Sequence, residues 1–319
     1  MSGDSVNYSQ AGRPIRIKTT LGETELLLES FSGSEAISEP FHFRVSMLSE
    51  NAAIDLKGLL RTPATLFLRL HDGSERHFHG LFQNLAQHEI GKDTLVRYEA
   101  EIVPTLWFLG LNSDCRIFQN KSVPDIVEQL LKENGITDFR FATSGTYSPR
   151  EYCVQYRETH LNFISRLLED EGIFYYFEYE ENKHTIVFSD KSGTLKTCPD
   201  QDKAKYSGMA EDSDSDAVLS MDFEEQVFTG KVTLADYNFE TPNNDLRVSI
   251  SGGSNFEYAD FPGIYGTRDE GDRYATVRLE ELEAMQSVVR GSSTCRACSP
   301  GYRFTLEDHY RADMSKGNA

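Results

Sequence analysis

The chain has 319 residues, of which 51 are acidic and 32 are basic, so its formal net charge at pH 7 is −19. This acidity argues against a nucleic-acid partner, because affinity for a phosphate backbone comes mainly from clustered Lys and Arg. The sequence contains no run of about 18 apolar residues, and residues 1–10 lack the basic and apolar regions of a signal peptide. We therefore expect synthesis in the cytoplasm, no stable membrane insertion, and two or three domains for this length.

A polar tail, residues 1–11, precedes a series of short predicted strands over residues 14–103. Within it, residues 41–47 alternate between apolar and polar side chains, which is typical of a sheet with one wet face. Leu66, Leu68 and Leu70 repeat the pattern, and Asp72-Gly73 marks a hairpin turn. So many short strands must close or stack to hide their edges, which predicts a small β-barrel.

A segment with two predicted helices follows. Ser122 and Asp125 have the spacing of a capping box at the start of the first helix, and Asn134-Gly135 ends it. The second helix begins near Thr159 and ends at Gly172, where the hydrophobic period changes from helical to extended. We expect Gly172 to adopt a left-handed conformation and the aromatic-rich residues 173–179 to form a strand.

Three acidic residues, Glu169, Asp170 and Glu171, lie in the last turn of this second helix. The helix dipole disfavours anions at that end by roughly 0.3–1 kcal/mol each. One interpretation is a solvated face on which Arg166 offsets the charge. The other is that one or more of the acids faces arginines of another domain or subunit.

The rest of the chain predicts a second, less complete all-β region, residues 191–255 with 301–313. It contains an acidic, serine-rich loop at Ser207 to Asp216 and an alternating strand around Met221. A helix capped by Asp272 and ended at Gly291 interrupts it. The inward residues of this helix are predicted to be Tyr274, Val277, Leu282, Met285, Val288 and Val289. Tyr302, Phe304 and Leu306 alternate as one closing strand.

Cysteine and histidine patterns give weak signals for a metal. Five cysteines, an odd number, suit a reducing compartment better than a disulfide framework. Cys295 and Cys298 form a CxxC pair, but no second CxxC or HxxxH is spaced to complete a zinc site. His77 and His79 share one strand face without an HExxH motif or carboxylate ligands nearby. We expect no metal, no cofactor and no catalytic residue.

The segment Tyr156–Tyr179 resembles the most recognisable stretch of the VgrG family, the spike-hub proteins of the bacterial type VI secretion system, which also resemble the hubs of contractile phage baseplates. Further motifs fall in the family's order. They are Gly58–Pro63 with Arg76–Gly80, Arg116–Gln119 with Ser122–Ile126, Phe256–Tyr258 with Phe261–Tyr265, Arg278–Glu280, and Gly291–Arg296 with Pro300–Phe304. The resemblance runs from about Gly12 to Asp313, and its last motif accounts for Cys295 but not for Cys298.

The resemblance implies a mainly β fold with an α/β insert, in which two small β-barrels of the phage-hub type are joined by an α/β segment. The corresponding domains are a flexible tail (1–11), a first β-barrel (12–108), an α/β linking domain (109–190) and a second barrel-like domain (191–319) with a long helix near 272–290. VgrG-like proteins normally continue into a further barrel and a trimeric β-helical needle. We expect such a spike module to begin where this chain stops, at Ala319.

As function, the resemblance implies a non-enzymatic structural hub. A homotrimer would carry six similar barrels and so match a hexameric Hcp tube, removing a mismatch between threefold and sixfold rings. Further implied partners are a spike-tip protein and effectors carried through the missing module, with export that needs no cleavable signal. The structural or interface candidates are Arg116, Gln119, Arg166, Glu169, Asp170, Glu171, Gly172, Arg278, Glu280, Gly291 and Arg296.

The alternative is an enzyme, either a cell-wall hydrolase or a metal-dependent hydrolase, built on the surface His and acid clusters. Glycoside hydrolysis needs two carboxylates about 5–10 Å apart in a cleft. Adjacent carboxylates on one helix diverge, so the acids at 169–171 form a poor pair. The residues that match family motifs are mostly glycines, aromatics and arginines at turns, which favours assembly over catalysis.

Overall fold

A computed structural model describes residues 8–90, 95–208, 216–311 and 314. Six strands form the first sheet, in the order β1-β4-β5-β6-β3-β2. They are β1 (Ile15–Thr19), β2 (Leu27–Ala36), β3 (Glu39–Ser49), β4 (Pro63–Arg69), β5 (Glu75–Ile90) and β6 (Val96–Val103), and the short helix α1 (Leu56–Leu59) lies between β3 and β4. The sheet curls into a half-closed barrel with β1 and β2 at its edges.

The alternation predicted for β3 is confirmed, because Phe41, Phe43, Val45 and Met47 are all buried. The turn at Asp72-Gly73 is also confirmed: it joins β4 to β5 in an antiparallel pair. These apolar side chains cover the inner face of the curled sheet, and a second element must pack against them to complete the core.

The α/β segment supplies that second element. It contains a 3₁₀ helix (Thr105–Leu111), β7 (Ser113–Lys121), α2 (Val123–Glu133), β8 (Phe139–Ala142), β9 (Arg150–Thr159), α3 (His160–Glu171), β10 (Phe174–Glu180) and β11 (Lys183–Ser189). Strands β7 and β9 form a two-stranded ribbon, and β10-β11-β8 form a sheet. Phe177 packs edge-on against Phe41 with ring centres 4.9 Å apart, so the first sheet and this segment share one core.

The predicted limits of α2 agree with the structure. Ser122 and Asp125 form a complete capping box, and Asn134 follows the last turn as the C-cap. The capping box supplies acceptors for two backbone N–H groups that the helix leaves unpaired. Asn134 is the residue at which the chain leaves the helix toward β8.

The remaining elements form a second β region and a helix packed on a separate small sheet. They are a 3₁₀ helix (Ser192–Thr194), β12 (Lys196–Thr197), β13 (Lys203–Tyr206), β14 (Ala217–Glu225), β15 (Lys231–Leu234), β16 (Val248–Ser251), β17 (Glu257–Asp260), α4 (Arg268–Glu283), β18 (Ser287–Ser293), β19 (Tyr302–Arg303) and β20 (Thr305–Glu307). The sheets are β18-β14-β13-β20, β12-β19 and β16-β15-β17. Residues 209–215 of the predicted acidic loop lie outside the described residues.

Helix α4 has its own core. Val232 and Val248 of the small sheet are buried against Ala275 and Leu279 of the helix. This unit is inserted between β14 and β18, which pair with each other in the four-stranded sheet. The second β region is therefore assembled from residues on both sides of the insertion.

Two predictions for this part of the chain were wrong. The helix begins after Thr267, which forms a capping box with Glu270, and not after Asp272. It ends at Glu283, and the following residues, with Gly291, form β18, where Val288 and Val289 are β-branched and favour a strand. Met285 and Val289 are exposed, so they do not line a helical core.

The predicted closing strand is divided into β19 and β20, with Phe304 between them. Strand β19 pairs with β12, and β20 pairs with β13 in another sheet. Simple alternation of Tyr302, Phe304 and Leu306 cannot reveal this break, because both short strands keep the same period.

Candidate functional site: contacts that fasten the β regions together

Helix α3 begins and ends as the sequence predicts. Thr159 accepts a hydrogen bond from the backbone N–H of Asn162 at 3.1 Å. At the other end Gly172 has φ 68° and ψ 27°, and Ile173 donates its N–H to the carbonyl of Leu168 at 2.9 Å. This is the left-handed ending that favours glycine.

Gly172 also lies against the second part of the chain. A Cβ atom at this position would lie 2.9 Å from Cγ2 of Val277 on α4. Glycine is required here both by its positive φ and by the close approach of α4. The end of α3 is therefore a contact between two helices that are distant in sequence.

Glu171 lies at the centre of this contact, and its side chain is only 1% exposed. Its Oε1 accepts a hydrogen bond from Nη2 of Arg150 at 2.9 Å, and Oη of Tyr274 lies 3.5 Å from the same oxygen. Its Oε2 lies 2.5 Å from Nη1 of Arg273, a close ion pair that lacks hydrogen-bond alignment. We call Glu171, Arg150, Arg273 and Tyr274 the clamp.

The electrostatics of the clamp follow from its burial. Burial by itself would lower the pKa of Arg150, but the hydrogen bond and charge of Glu171 outweigh it and raise that pKa. Asp170 adds a weaker contact, with Oδ2 3.4 Å from the Arg150 guanidinium. Glu169 and Asp170 are exposed, so of the three acids only Glu171 is buried between helices.

The clamp extends to the end of β11 through aromatic and polar contacts. The Arg273 guanidinium lies 5.6 Å from the ring centre of Tyr147, whose hydroxyl donates to Asp190 at 3.0 Å. Asp190 also accepts the N–H groups of Ser144 and Gly145 at 2.8 and 2.6 Å. Burial acts to raise the pKa of Asp190, but these hydrogen bonds outweigh it and lower the pKa.

A second set of contacts, the Arg76 anchor, joins the first sheet to the loop after β18. Arg76, on β5, donates from Nη1 to the carbonyls of Arg296 and Cys298 at 2.8 and 2.7 Å. Its Nη2 lies 3.0 Å from Oε2 of Glu35, whose other oxygen accepts from Tyr179 at 2.8 Å. Burial raises the pKa of Glu35, although Arg76 and Tyr179 act to lower it.

Arg116 and Arg166, two of the sequence-derived candidates, fasten the β7–β9 ribbon to its own helices. Arg116 on β7 pairs with Glu133 at 2.6 and 3.1 Å, and Arg166 on α3 pairs with Glu158 of β9 at 2.7 Å. Arg166 therefore pairs directly with Glu158, and of the three acids at the end of α3 Asp170 contributes a weaker coulombic attraction that acts to raise the pKa of Arg166. Gln119 is exposed on β7.

Arg278 and Glu280 lie on the outer side of α4. Arg278 pairs with Glu281 at 2.6 Å, and its guanidinium lies 5.8 Å from the ring centre of Tyr258 on β17. Glu280 is exposed. Neither residue reaches the clamp, although both lie on the helix that carries Arg273.

Gly291 and Arg296 lie on either side of the end of β18. A Cβ at Gly291 would be 2.4 Å from the carbonyl oxygen of Ser220 on β14, so this pairing requires glycine. Arg296 donates from Nη1 to the carbonyl of Arg69 at 3.1 Å, which adds a contact with the first sheet beside Arg76.

A metal-binding pair of His77 and His79 on one strand face would lie at the surface, but His79 is buried. Its Nδ1 lies 3.0 Å from Nδ1 of His184, and both rings are buried. Because Nε2 of His184 accepts the N–H of Thr105 at 3.0 Å, its Nδ1 carries the hydrogen and donates to His79. Burial lowers the pKa of His79 to about 4 and that of His184 to about 3.

The described ranges contain no group of three or more His, Cys, Asp and Glu side chains arranged to hold a metal ion. Among the helices of those ranges, none is long and apolar enough to cross a membrane.

The sequence contains no specific signal for Arg150, Arg273, Glu35 or His184, and Arg76 stands out only as the first residue of the family motif Arg76–Gly80. Each is an ordinary polar residue whose partner is distant in the chain. The only local signal was the acidic end of α3, which marked Glu171 but not the arginines that face it.

The order of these sheets and helices defines the class of protein. A component of the type VI secretion system from E. coli, described as similar in structure to two tail proteins of bacteriophage T4, superposes with a TM-score of 0.72. That match covers 95% of this chain and 70% of the other, with 22% identity. A tail protein from Neisseria meningitidis matches with a TM-score of 0.62 and 12% identity over 96% of this chain and 88% of its own. The fold is that of phage tail proteins.

The phage tail baseplate hub (GPD) family matches residues 34–317, and the chain belongs to this family. Two similar proteins are the type VI secretion system spike proteins VgrG1b and VgrG1c of Pseudomonas aeruginosa, with 37% and 34% identity over 97% of this chain. The chain spans 42% and 43% of the length of these relatives.

Proposed function

We propose that this chain forms the body of a trimeric type VI secretion hub, which seats the spike on the Hcp tube and helps to carry effectors out of the cell. The observation that supports it most directly is the similarity to spike proteins over 97% of the chain. In this proposal the protein is made in the cytoplasm and leaves through the secretion machine. A spike-tip protein and effectors are its further partners.

The arrangement of sheets is consistent with two barrel-like regions in each subunit. The first is the curled six-stranded sheet, and the second combines β12–β14 with β18–β20 around the α4 insertion. We propose that three subunits present these regions as a ring of six, which would match a sixfold tube. The clamp and the Arg76 anchor support this proposal, because a ring can match a tube only if its parts keep a constant orientation.

Open sheet edges offer a way for subunits to join. Strand β18 is at the edge of its sheet, is almost wholly exposed, and contains Gly and three Ser residues that do not shield its backbone. Unpaired edge groups are a ready template for another strand. We therefore assign β18 to the contact between neighbouring subunits.

The test of assembly is the mass in solution by light scattering, with matched lysine variants. Val289→Lys places a charge on β18, whereas Val227→Lys places the same charge in an exposed loop. We expect a trimer that Val289→Lys dissociates and Val227→Lys leaves intact. A monomer at every concentration, or equal loss with both variants, contradicts the proposed ring.

Binding to Hcp is tested by mixing the trimer with purified hexameric rings at low and moderate salt. The acidic surface predicts slower association as salt increases, if the facing rim of the tube is basic. Absence of a complex at both salt concentrations contradicts the hub function.

We infer a non-enzymatic role, and the hydrolase alternative is not supported. His79 faces His184 in the core, so it does not form a surface metal pair with His77. Glu171 is buried between arginines while Asp170 is exposed, so these acids do not face one cleft as a glycosidase pair does. Peptidoglycan cleavage that is lost in Glu171→Gln but kept in Glu169→Gln would contradict this inference.

A further inference from the structure

The two edge strands of the first sheet are joined by one side chain. Strands β1 and β2 stand at opposite ends of the sheet order. The side chain of Gln10, from the polar segment that precedes β1, lies between them and is only 3% exposed. Glutamines are mostly exposed in folded proteins, and a buried amide needs a partner for each of its polar groups. The burial of Gln10 therefore requires a polar environment built to receive it.

The Gln10 amide forms hydrogen bonds with both edge strands and with the chain between them. Its Oε1 accepts the backbone N–H of Ile17 on β1 and that of Leu28 on β2, both at 3.0 Å. Its Nε2 donates to the carbonyls of Ile17 at 2.9 Å, Glu23 at 2.6 Å and Leu26 at 3.3 Å. Ile17 thus exchanges both of its backbone bonds with one partner, as a residue does across an antiparallel ladder. The amide takes the place of a strand backbone between β1 and β2.

These five backbone groups fix the orientation and the chemistry of their occupant. Oε1 of Gln10 faces two N–H groups and Nε2 faces three carbonyls, so a reversed amide would oppose like groups on both sides. A primary carboxamide has two hydrogens to donate and an oxygen with two lone pairs. A carboxylate has no hydrogen, a secondary amide has one, and an ammonium group has no acceptor. The site therefore fits a primary carboxamide.

The surroundings of the amide make its hydrogen bonds costly to lose. Ile17, Leu26 and Leu28 are buried, and a buried backbone group that loses its partner keeps the full penalty of leaving water. Gln10 also lines a cavity of about 170 Å³, together with its neighbours in the segment and charged side chains of β1, β4 and β5. The amide position is therefore enclosed on the strand side and adjoins a polar cavity on the other.

The segment before β1 is held on the sheet through this one side chain. As far as the structure describes the chain, every hydrogen bond that joins residues 8–12 to residues beyond Arg13 comes from the Gln10 amide. The carbonyl of Gln10 accepts the N–H of Arg13 at 3.1 Å, in a turn where Gly12 has φ 77°. Ser9, Ala11 and Gly12 are exposed. The Gln10 side chain therefore decides whether the segment stays on the sheet.

We propose that β1, β2 and the chain between them form a binding site for a primary carboxamide, which Gln10 fills from within the chain, and that this side chain is the latch that joins the two open edges of the first sheet. With the latch in place, the backbone groups that face the gap are paired. With the latch withdrawn, they become the unpaired edge that recruits another strand. The inference does not depend on the proposed secretion function.

Residue-resolved hydrogen exchange of the full chain tests the latch. The N–H groups of Ile17 and Leu28 donate to Gln10 and not to a neighbouring strand, so we expect slow exchange at both in the wild type. In Gln10→Gly they should exchange roughly tenfold faster, the factor for one lost hydrogen bond of ordinary strength. Ser9→Gly, at the exposed neighbouring position, is the matched control. Fast exchange in the wild type, or equal exchange in the two variants, would overturn the proposal.

Chemical rescue tests the class of ligand. Propionamide has the atoms of the glutamine side chain from Cβ onward, so it fits the space that Gln10→Gly leaves. We expect it to raise the unfolding temperature of Gln10→Gly in a saturable way and to leave the wild type, whose site is filled, unchanged. N,N-dimethylpropionamide and propionate, which lack amide hydrogens, should give no such rise. Equal rises with all three compounds, or none with propionamide, would contradict a carboxamide site.

A variant of nearly the same shape keeps the proposal testable if Gln10→Gly fails to fold. Gln10→Glu at pH 7 replaces the Nε2 donor with a carboxylate oxygen among three carbonyls. We expect a lower unfolding temperature than that of the wild type, and a difference that shrinks in acid as the carboxyl group regains a hydrogen to donate. A Gln10→Glu variant as stable as the wild type at pH 7 would show that the site needs no donor. Exchange at Ile17 and Leu28 in the unmodified protein decides the matter if neither variant folds.

Discussion

Glu171, at the end of α3, and Arg273, on α4, form an ion pair whose nearest atoms are 2.5 Å apart, and the glutamate side chain is almost completely buried. Arg150 pairs with the other oxygen of the same carboxylate. A single acid thus pairs with two arginines from different elements, at the helix end where a negative charge is least favoured by the helix itself. The local cost is offset by the contact between the α/β segment and the α4 unit.

Replacing Glu171 is expected to destabilise the protein strongly. Glu171→Gln removes the anion and leaves two guanidinium groups facing each other, and breaking a buried ion pair typically costs about 3–5 kcal/mol. The change is measured as the free energy of unfolding in urea, followed by circular dichroism. The same substitution at exposed Glu169 should stay within about 0.5 kcal/mol. Equal effects at the two positions would show that the clamp does not stabilise the fold.

Gly172 is expected to tolerate no side chain, for two separable reasons. Gly172→Val forces a β-branched residue into a left-handed conformation at about 1–2 kcal/mol, and its Cβ also collides with Val277. In a double-mutant cycle of Gly172→Ala with Val277→Ala, the second substitution should recover the part of the lost free energy of unfolding that comes from the collision with Val277. It should not recover the part that comes from the left-handed backbone. Gly193→Ala, where the added Cβ has open space, serves as control. No recovery in the double variant would exclude the contact with α4 as a cause.

The buried His79–His184 pair is expected to make the protein less stable in acid. Both folded pKa values, about 4 and about 3, lie below the usual value of 6.5, so the unfolded state binds more protons. This contribution is complete above pH 6.5 and is lost as the pH falls through 6.5 toward 4. For His79 the difference between the usual pKa of 6.5 and the folded pKa of about 4 corresponds to about 3 kcal/mol.

Urea unfolding at several pH values between 7.5 and 4.5 measures this dependence. The difference between the wild-type protein and His79→Gln should grow smaller as the pH falls, because the variant lacks one of the two groups. His88→Gln, at an exposed position, is the control for the substitution itself. A constant difference across this pH range would contradict the assigned protonation.

The Arg76 anchor is expected to protect the loop after β18 from proteolysis. Arg76→Ala leaves the carbonyls of Arg296 and Cys298 without their donor and leaves Glu35 buried without its cation, which costs about 3–5 kcal/mol. Brief trypsin digestion of the native protein should then cleave after Arg296 faster than in the wild type. Arg44→Ala removes an exposed arginine from the same sheet and should not change the rate. Unchanged cleavage in Arg76→Ala would mean that the loop is held by other contacts.

Local features were predictable where short-range chemistry decides them. Thr159, Ser122 and Gly172 mark helix limits because a cap or a left-handed residue acts on the nearest backbone groups. Residues 41–47 predicted a half-buried strand because alternation reflects which face of a sheet is covered. The limits of α4 were missed because Asp272 is as good a cap by type as Thr267, and only Glu270 at the right spacing distinguishes them.

The sequence by itself determined the family, the helix caps, the alternation of the first sheet and the unusual acidic end of α3. Only the tertiary structure decided that Glu171 faces Arg150 and Arg273, that His79 meets His184, and that Arg76 holds the loop of Cys295 and Cys298. The physical reason is distance along the chain. Helix caps and strand periods depend on neighbours within a few residues. The partner of a buried charge or histidine lies on another element, and the packing of the cores decides which element that is.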